Sequence, residues 1–248
     1  MNREYKELLG IILDIGRELL RAGAEINRTE DTIKRLAFSC GAEKVDAFVI
    51  YNSISATACF DGEEYTATRG FPASTSTDFL KLEQLNSLSR RCSEEKMTAR
   101  ELKTEFEKIC SQKASYLKFA LGGFLAAGAF AMFFGGTLWD TLTAGVFGII
   151  IVLFQKYFSE LFPNKMLYTF VSALVSGIGI ILISKIFPLL NADKVIIGAI
   201  MLLVPGKGIT NSARDILLGD TVSGAMKLLE SLFLTGALAA GYLIALSI

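Results

Sequence analysis

The sequence contains no histidine among its 248 residues. That removes the side chain that titrates nearest neutral pH and the commonest metal ligand. Its four cysteines, Cys40, Cys59, Cys92 and Cys110, have spacings that fit no zinc or redox pattern. They read as reduced cytosolic thiols that pack as small hydrophobes. Charge excess is missing too: 25 basic residues balance 25 acidic ones, so nothing points to nucleic acid. The N-terminus has no basic-then-apolar signal sequence and opens with a charged helix pattern. No phosphate-binding loop, dinucleotide fingerprint or nucleophile motif occurs, and the short Gly-x-Gly at Gly206–Gly208 follows no soluble strand. These absences argue against an enzyme, and no cofactor or metal is expected.

What is present is unevenly distributed. Residues 1–118 carry 18 of the 25 Lys and Arg and 19 of the 25 Asp and Glu, leaving 7 and 6 for the remainder. The chain therefore reads as an α+β soluble domain over residues 1–113, followed by an α-helical membrane domain of five segments over 114–248.

In the soluble part, Tyr5, Leu8, Ile12, Ile15 and Leu19 recur at steps of three and four, one apolar face of a helix ending near Gly23. Asn27-Arg28-Thr29-Glu30 has the form of a helix start, and Ile33, Leu36, Ala37 and Cys40 continue that helix to Gly41. The period then changes to two. Val45–Tyr51, Ile54–Phe60 and Tyr65–Arg69 predict a three-stranded antiparallel sheet, with turns at Asn52-Ser53 and Asp61-Gly62. Pro72 and Ser74 to Thr77 end it. A helix from Asp78 to about Arg91 follows, then one opened by the capping box Thr98-Ala99-Arg100-Glu101 and running to about Lys113.

The second part has apolar segments at about 119–138, 141–162, 167–187, 195–209 and 228–248. The first is 20 residues without a charge, which as a helix covers about 30 Å, enough to span. The second carries Lys156 and Glu160 near its end, and the third Lys185. In the fourth, Val195 to Val204 is only ten residues before Pro205, about 15 Å of helix and half a bilayer. Small residues recur at four-residue steps, Gly122–Ala126, Gly123–Ala127 and Ser172–Ser176, which lets helix backbones approach within the chain or against another subunit. Lys113, Lys118, Lys156, Lys165, Lys207, Arg214 and Lys227 fall on one side, Lys185 and Lys194 on the other. The expected orientation is a cytoplasmic soluble domain and an external C-terminus.

The stretch Leu202–Asp220, LLVPGKGITNSARDILLGD, interrupts this apolar pattern. Pro205 removes a backbone donor, while Gly206 and Gly208 allow unusual dihedrals. Non-helical backbone at membrane depth is tolerated only inside protein or along a wet cavity. Ser212-Ala213-Arg214-Asp215 predicts a new short helix starting near Asn211 and stopping at Gly219. Broken helices whose ends face the substrate are a recurring carrier device, and the free N–H groups at such an end favour an anion. Arg214 and Asp215 point about 100° apart on a helix. Arg214 can hold a carboxylate through two parallel hydrogen bonds. Asp215 or Asp220 can receive an ammonium group or a proton, and Glu230 is a further titratable candidate. The same segment also reads as a cytoplasmic connection, with Lys207 reaching to the interface and Arg214 and Asp215 in surface or domain-anchoring ion pairs.

LVPGKGITNSARDILLGDTVSGAMKLLESL resembles the signature of the threonine/serine exporter (ThrE) family, N-terminal module, YjjP-like. RAGAEINRTEDTIKRLAFSCGAEKVDAFVIYNSISATA is similar to that family's Gly-Ala-Glu…Arg-x-Glu-x-x-Ile block, and TDFLKLEQLNSLSRR to the helix after it. The resemblance covers essentially the whole chain. It implies gradient-driven export of small hydrophilic metabolites, with threonine and serine as type substrates and succinate for split relatives. With no histidine, carboxylates have to carry any coupled protons. Glu25, Arg28 and Glu30 match the family block, although capping also explains Glu30. Fused members continue into a second membrane module. The sequence here stops at Ile248, so a separate small YjjB-like membrane subunit is the expected partner, in a plasma membrane and possible in a higher oligomer. A membrane-anchored metabolite sensor is the alternative reading.

Overall fold

The computed structural model describes residues 2–71, 78–112, 115–158, 162 and 164–247. The expectations placed on Pro72, Ser74 to Thr77, Lys113 and Glu160 lie outside the described residues. The chain divides into two compact units, Met1–Gln112 with Thr210–Lys227, and Lys113–Ile209 with Leu228–Ile248.

The first unit opens with α1 (Asn2–Arg21) and α2 (Ile26–Ser39). Three strands follow, β1 (Lys44–Ile50), β2 (Ser53–Phe60) and β3 (Glu63–Gly70), in the antiparallel order β1-β2-β3. Asp61 and Gly62 both take positive φ, 49° and 77°, as a two-residue hairpin with right-handed strand twist requires. Alternation on β2 puts Ile54, Ala56, Ala58 and Phe60 on one buried face. Leu9, Ile12, Leu13, Ile15 and Leu19 of α1 are fully buried in the same core. Each such side chain contributes about 1.5–3 kcal/mol relative to exposure. Then come α3 (Phe79–Glu95) and α4 (Ala99–Ser111). Asp78 caps α3 by accepting from the Lys81 N–H at 3.0 Å. The expected Thr98/Glu101 capping box opens α4. The helix α3 continues past Arg91 to Glu95 and ends on Lys96 in the left-handed conformation.

In the first unit the start of α2 differs from expectation. Helix α2 begins at Ile26 with Glu25 at its N-cap, without a side-chain cap. Asn27-Arg28-Thr29-Glu30 lies inside the helix and forms no capping box. Thr29 Oγ1 instead donates to the Glu25 carbonyl, and Glu30 accepts from Lys34 Nζ at 2.6 Å. The extended backbone at Glu25 already supplies the non-helical residue that a cap requires, so the helix starts before Asn27.

In the second unit, α5 (Tyr116–Phe133), α6 (Leu138–Phe158), α7 (Lys165–Ile186) and the greater part of α10 (Thr221–Leu246) are long and apolar enough to cross a bilayer. Many of their side chains, Leu117, Phe133 and Phe233 among them, point outward, as hydrocarbon surroundings permit. Four helices qualify among the described residues, not five. The fourth apolar segment is α8 (Ala192–Ile200), nine residues, or about 13 Å. A turn follows, then α9 (Gly206–Leu217). The new helix thus begins at Gly206 rather than near Asn211. Pro205 has no N–H to continue α8, yet its carbonyl accepts from Ile209 N at 3.1 Å, so the proline itself caps α9. Ser212 consequently sits in the helix interior, buried. The helix stops at Leu217, and Gly219 follows with φ 99°.

Small residues set how closely these helices approach. A Cβ on Gly148 of α6 would lie 2.3 Å from the Gly123 carbonyl oxygen of α5, so the two backbones touch. Gly198 of α8 meets the Ala127 carbonyl oxygen in the same way, at 2.5 Å. Asp140, fully buried, accepts from Thr137 N and Oγ1 on one side and from Asn191 N and Nδ2 on the other, tying α6 to the start of α8. Of the two adjacent small-residue steps on α5, the one through Gly123 is used in this packing. A Cβ at Gly122 would meet nothing within 4 Å. Gly148→Val should therefore lower the thermal midpoint of the detergent-purified protein by an amount corresponding to about 1–3 kcal/mol of overpacking. Gly122→Val should leave it unchanged, and equal effects of the two would contradict this packing.

Candidate functional site

The segment Thr210–Lys227, expected to lie within the membrane domain, clusters with the first unit. It brings Arg214, Asp215, Asp220 and Lys227 to the N-terminal end of α2. Arg214 and Asp215 follow one another on α9 and diverge as helical geometry demands. The Arg214 side chain is 59% exposed and that of Asp215 only 2%. Arg214 NH1 donates to Glu25 Oε1 at 2.8 Å. The Glu25 side chain accepts no hydrogen bond from the α2 backbone, and this leaves its carboxylate for the arginine.

Asp215 accepts from Lys227 Nζ at 2.7 Å, and Lys227 is itself largely buried. The Lys227 ammonium lies 5.8 Å from the Tyr51 ring centroid, within cation–π range. Asp220 follows Gly219 in the turn between α9 and α10, where its N–H donates to the Asp215 carbonyl at 2.9 Å. Its Oδ2 is buried with no hydrogen-bond partner among the described residues. Burial raises the Asp220 carboxyl above its ordinary range, and the nearby charges of Asp215 and Glu30 raise it further, against the opposing effect of Lys227. The site thus sets two ion pairs beside a carboxyl whose pKa is raised by burial.

The other candidates lie elsewhere. Arg28 is exposed, and its carbonyl accepts from Thr32 Oγ1. Asn211 is half-buried inside α9. In the second unit, Pro205 and Gly206 form the start of α9, and Gly208 approaches α10 so closely that a Cβ would lie 2.6 Å from Ser231 Oγ. Glu230 lies within electrostatic reach of Lys165. Leu202 and Leu203, in the turn after α8, line a groove of about 470 Å³ with Phe119 and Val152, and Lys118 and Gln155 are its polar lining residues. Among the described residues no group of carboxylate and thiol side chains could hold a metal.

Sequence reasoning counted Lys227 only as an orientation charge. The available signal was the need of a buried Asp215 for a counter-ion. A separation of 12 residues across a helix break gave no register with which to find it. Tyr51 gave no signal beyond its place at a strand end.

Two measurements test this arrangement. Lys227→Met strands the buried Asp215 charge and should cost about 3–5 kcal/mol of stability. The double variant Lys227→Met with Asp215→Asn should recover a large part of that loss, and a double variant as unstable as the single one would show no coupling. For Asp220, a proton is retained in the folded state between the ordinary value of 3.8 and the raised one, after the unfolded state has shed it. Stability therefore falls as pH rises through that window. Asp220→Asn should raise the thermal midpoint at pH 7, with the gain vanishing below about pH 4.

Residues 10–248 match the family described as "Putative threonine/serine exporter", ThrE. No curated protein and no solved structure matches the chain significantly. The match covers nearly the whole sequence, both compact units included, and four helices have the length and composition of membrane spans. The chain is a membrane protein and belongs to the ThrE family, the threonine/serine exporters.

Proposed function

We propose that the chain is a subunit of a secondary-active exporter that moves threonine- or serine-type amino acids out of the cell, with succinate-like dicarboxylates as the other substrate class. The family match over residues 10–248 carries this reading. A chain with no nucleotide-binding motif draws on an ion gradient, in which one charge crossing 100 mV is worth about 2.3 kcal/mol. The interruption between α8 and α9 agrees with it, since a span that serves only as an anchor needs no proline break or polar cluster.

The first unit lies in the cytoplasm, the C-terminus outside, and the protein in the plasma membrane. Lys118, Lys156, Lys165, Lys207, Arg214 and Lys227 on one side, against Lys185 and Lys194 on the other, support this orientation. A small YjjB-like membrane subunit completes the carrier. On the cytoplasmic side Arg214 takes the substrate carboxylate, for which it exchanges Glu25. Asp220, next to Asp215, takes the ammonium group or a proton. Arg214 suits this exchange because its own side chain is more than half exposed and so open to a solute.

The test uses vesicles containing the full chain with its small partner, loaded with labelled threonine, serine or succinate under an imposed proton gradient. Gradient-dependent efflux of threonine or serine is expected. Arg214→Ala should reduce that efflux at least about tenfold, the loss expected for a charge-assisted contact, while the protein still inserts. Absence of flux for all three solutes overturns the exporter reading, and normal flux in Arg214→Ala removes that residue from the pathway.

A further inference from the structure

Two of the four cysteines meet inside the first unit. Cys40 closes the C-terminal end of α2, and Cys92 stands near the end of α3. They are 52 positions apart in the chain, yet their sulfurs lie 3.8 Å from one another. A disulfide bond is about 2.0 Å long, so the sulfurs have only about 2 Å left to travel. The two helix ends are already held together beside them, where Ser39 Oγ donates to Ser93 Oγ at 3.0 Å.

The two thiols are not equivalent. Cys92 is wholly buried in the core, while Cys40 is partly exposed at its edge. The Cys40 S–H donates to the Cys92 sulfur, which lowers the Cys92 thiol from its ordinary value against the effect of burial. A second donor comes from the local backbone. Lys96 takes the left-handed conformation at the end of α3, and the Met97 N–H that follows donates to the same sulfur and lowers it further. The contact with Cys92, together with burial, raises Cys40. The pair therefore joins a sulfur that solutes can reach to a buried one with two donors that favour its thiolate, the nucleophilic form of cysteine. Cys59 has a different neighbour: its Sγ lies 3.8 Å from a Glu43 carboxylate oxygen, and a nearby negative charge disfavours the thiolate.

We propose that Cys40 and Cys92 are an oxidisable dithiol, a modification site at which hydrogen peroxide forms a reversible disulfide between α2 and α3. Cys40, the reachable sulfur, attacks one peroxide oxygen. The O–O bond breaks, and Cys40 becomes a sulfenic acid as hydroxide leaves. The Cys92 sulfur then displaces the hydroxyl from Cys40, and the S–S bond closes. Two thiols give up two electrons in all, the peroxide is reduced, and both thiol protons end in two molecules of water. In a reducing compartment such a bond is transient and reports an oxidant.

The experiment uses the detergent-purified full chain carrying Cys59→Ser and Cys110→Ser, so that only this pair remains. The chain is treated with hydrogen peroxide, alkylated, digested and analysed by mass spectrometry. Both thiols should disappear together into one Cys40–Cys92 linkage within a single chain, and dithiothreitol should restore them. Adding Cys40→Ala leaves Cys92 buried and without its partner, and its thiol should be lost at least about tenfold more slowly. Three results overturn the site. One is a folded chain whose two thiols stay alkylatable under peroxide that oxidises them once urea has unfolded it. Another is a linkage that forms only between chains. The third is a Cys92 thiol lost as fast in Cys40→Ala as in the pair.

Discussion

Pro205 lacks the amide hydrogen that an uninterrupted fourth span would need, and much of the polar arrangement follows from that one missing donor. Helix α8 ends at Ile200, well short of a membrane's thickness. The proline carbonyl opens α9, and the chain from Thr210 onward clusters with the first unit. Had the chain run on as one helix, Arg214 and Asp215 would follow a 20-residue span as its continuation. With the break, residues 210–227 become part of the α+β unit, and two pairs of opposite charges can form there.

These pairs differ in kind. Arg214 is more than half exposed and gives up little when its pair with the more buried Glu25 opens. Asp215 with Lys227 is enclosed, and separating it would leave a charge without solvent. The first has the character of an exchangeable contact and the second that of a fastening. Asp220 belongs to neither pair: its buried oxygen has no donor among the described residues, and two other carboxylates stand near it.

Periodicity made much of the fold legible. The α1 face, the three strands with the Asp61-Gly62 turn, and the Thr98/Glu101 cap are set by neighbours in sequence, whose spacing is all a pattern needs. The break after α8 was equally plain from Pro205. What the pattern misplaced were helix starts. At Asn27 and Ser212, residues of capping type stand inside helices because the true caps, Glu25 and Pro205, act through backbone conformation rather than through a side chain. The contacts of the candidate site were the least legible. Glu25 and Arg214 are separated by most of the chain, and only the assembled unit shows that they meet.

Helix α10 runs without interruption from Thr221 to Leu246. Lys227, whose ammonium grips Asp215, and Ser231, against which Gly208 rests, are four residues apart on it, about one turn. The lysine that neutralises Asp215 and the serine that Gly208 packs against thus stand on consecutive turns of one continuous helix.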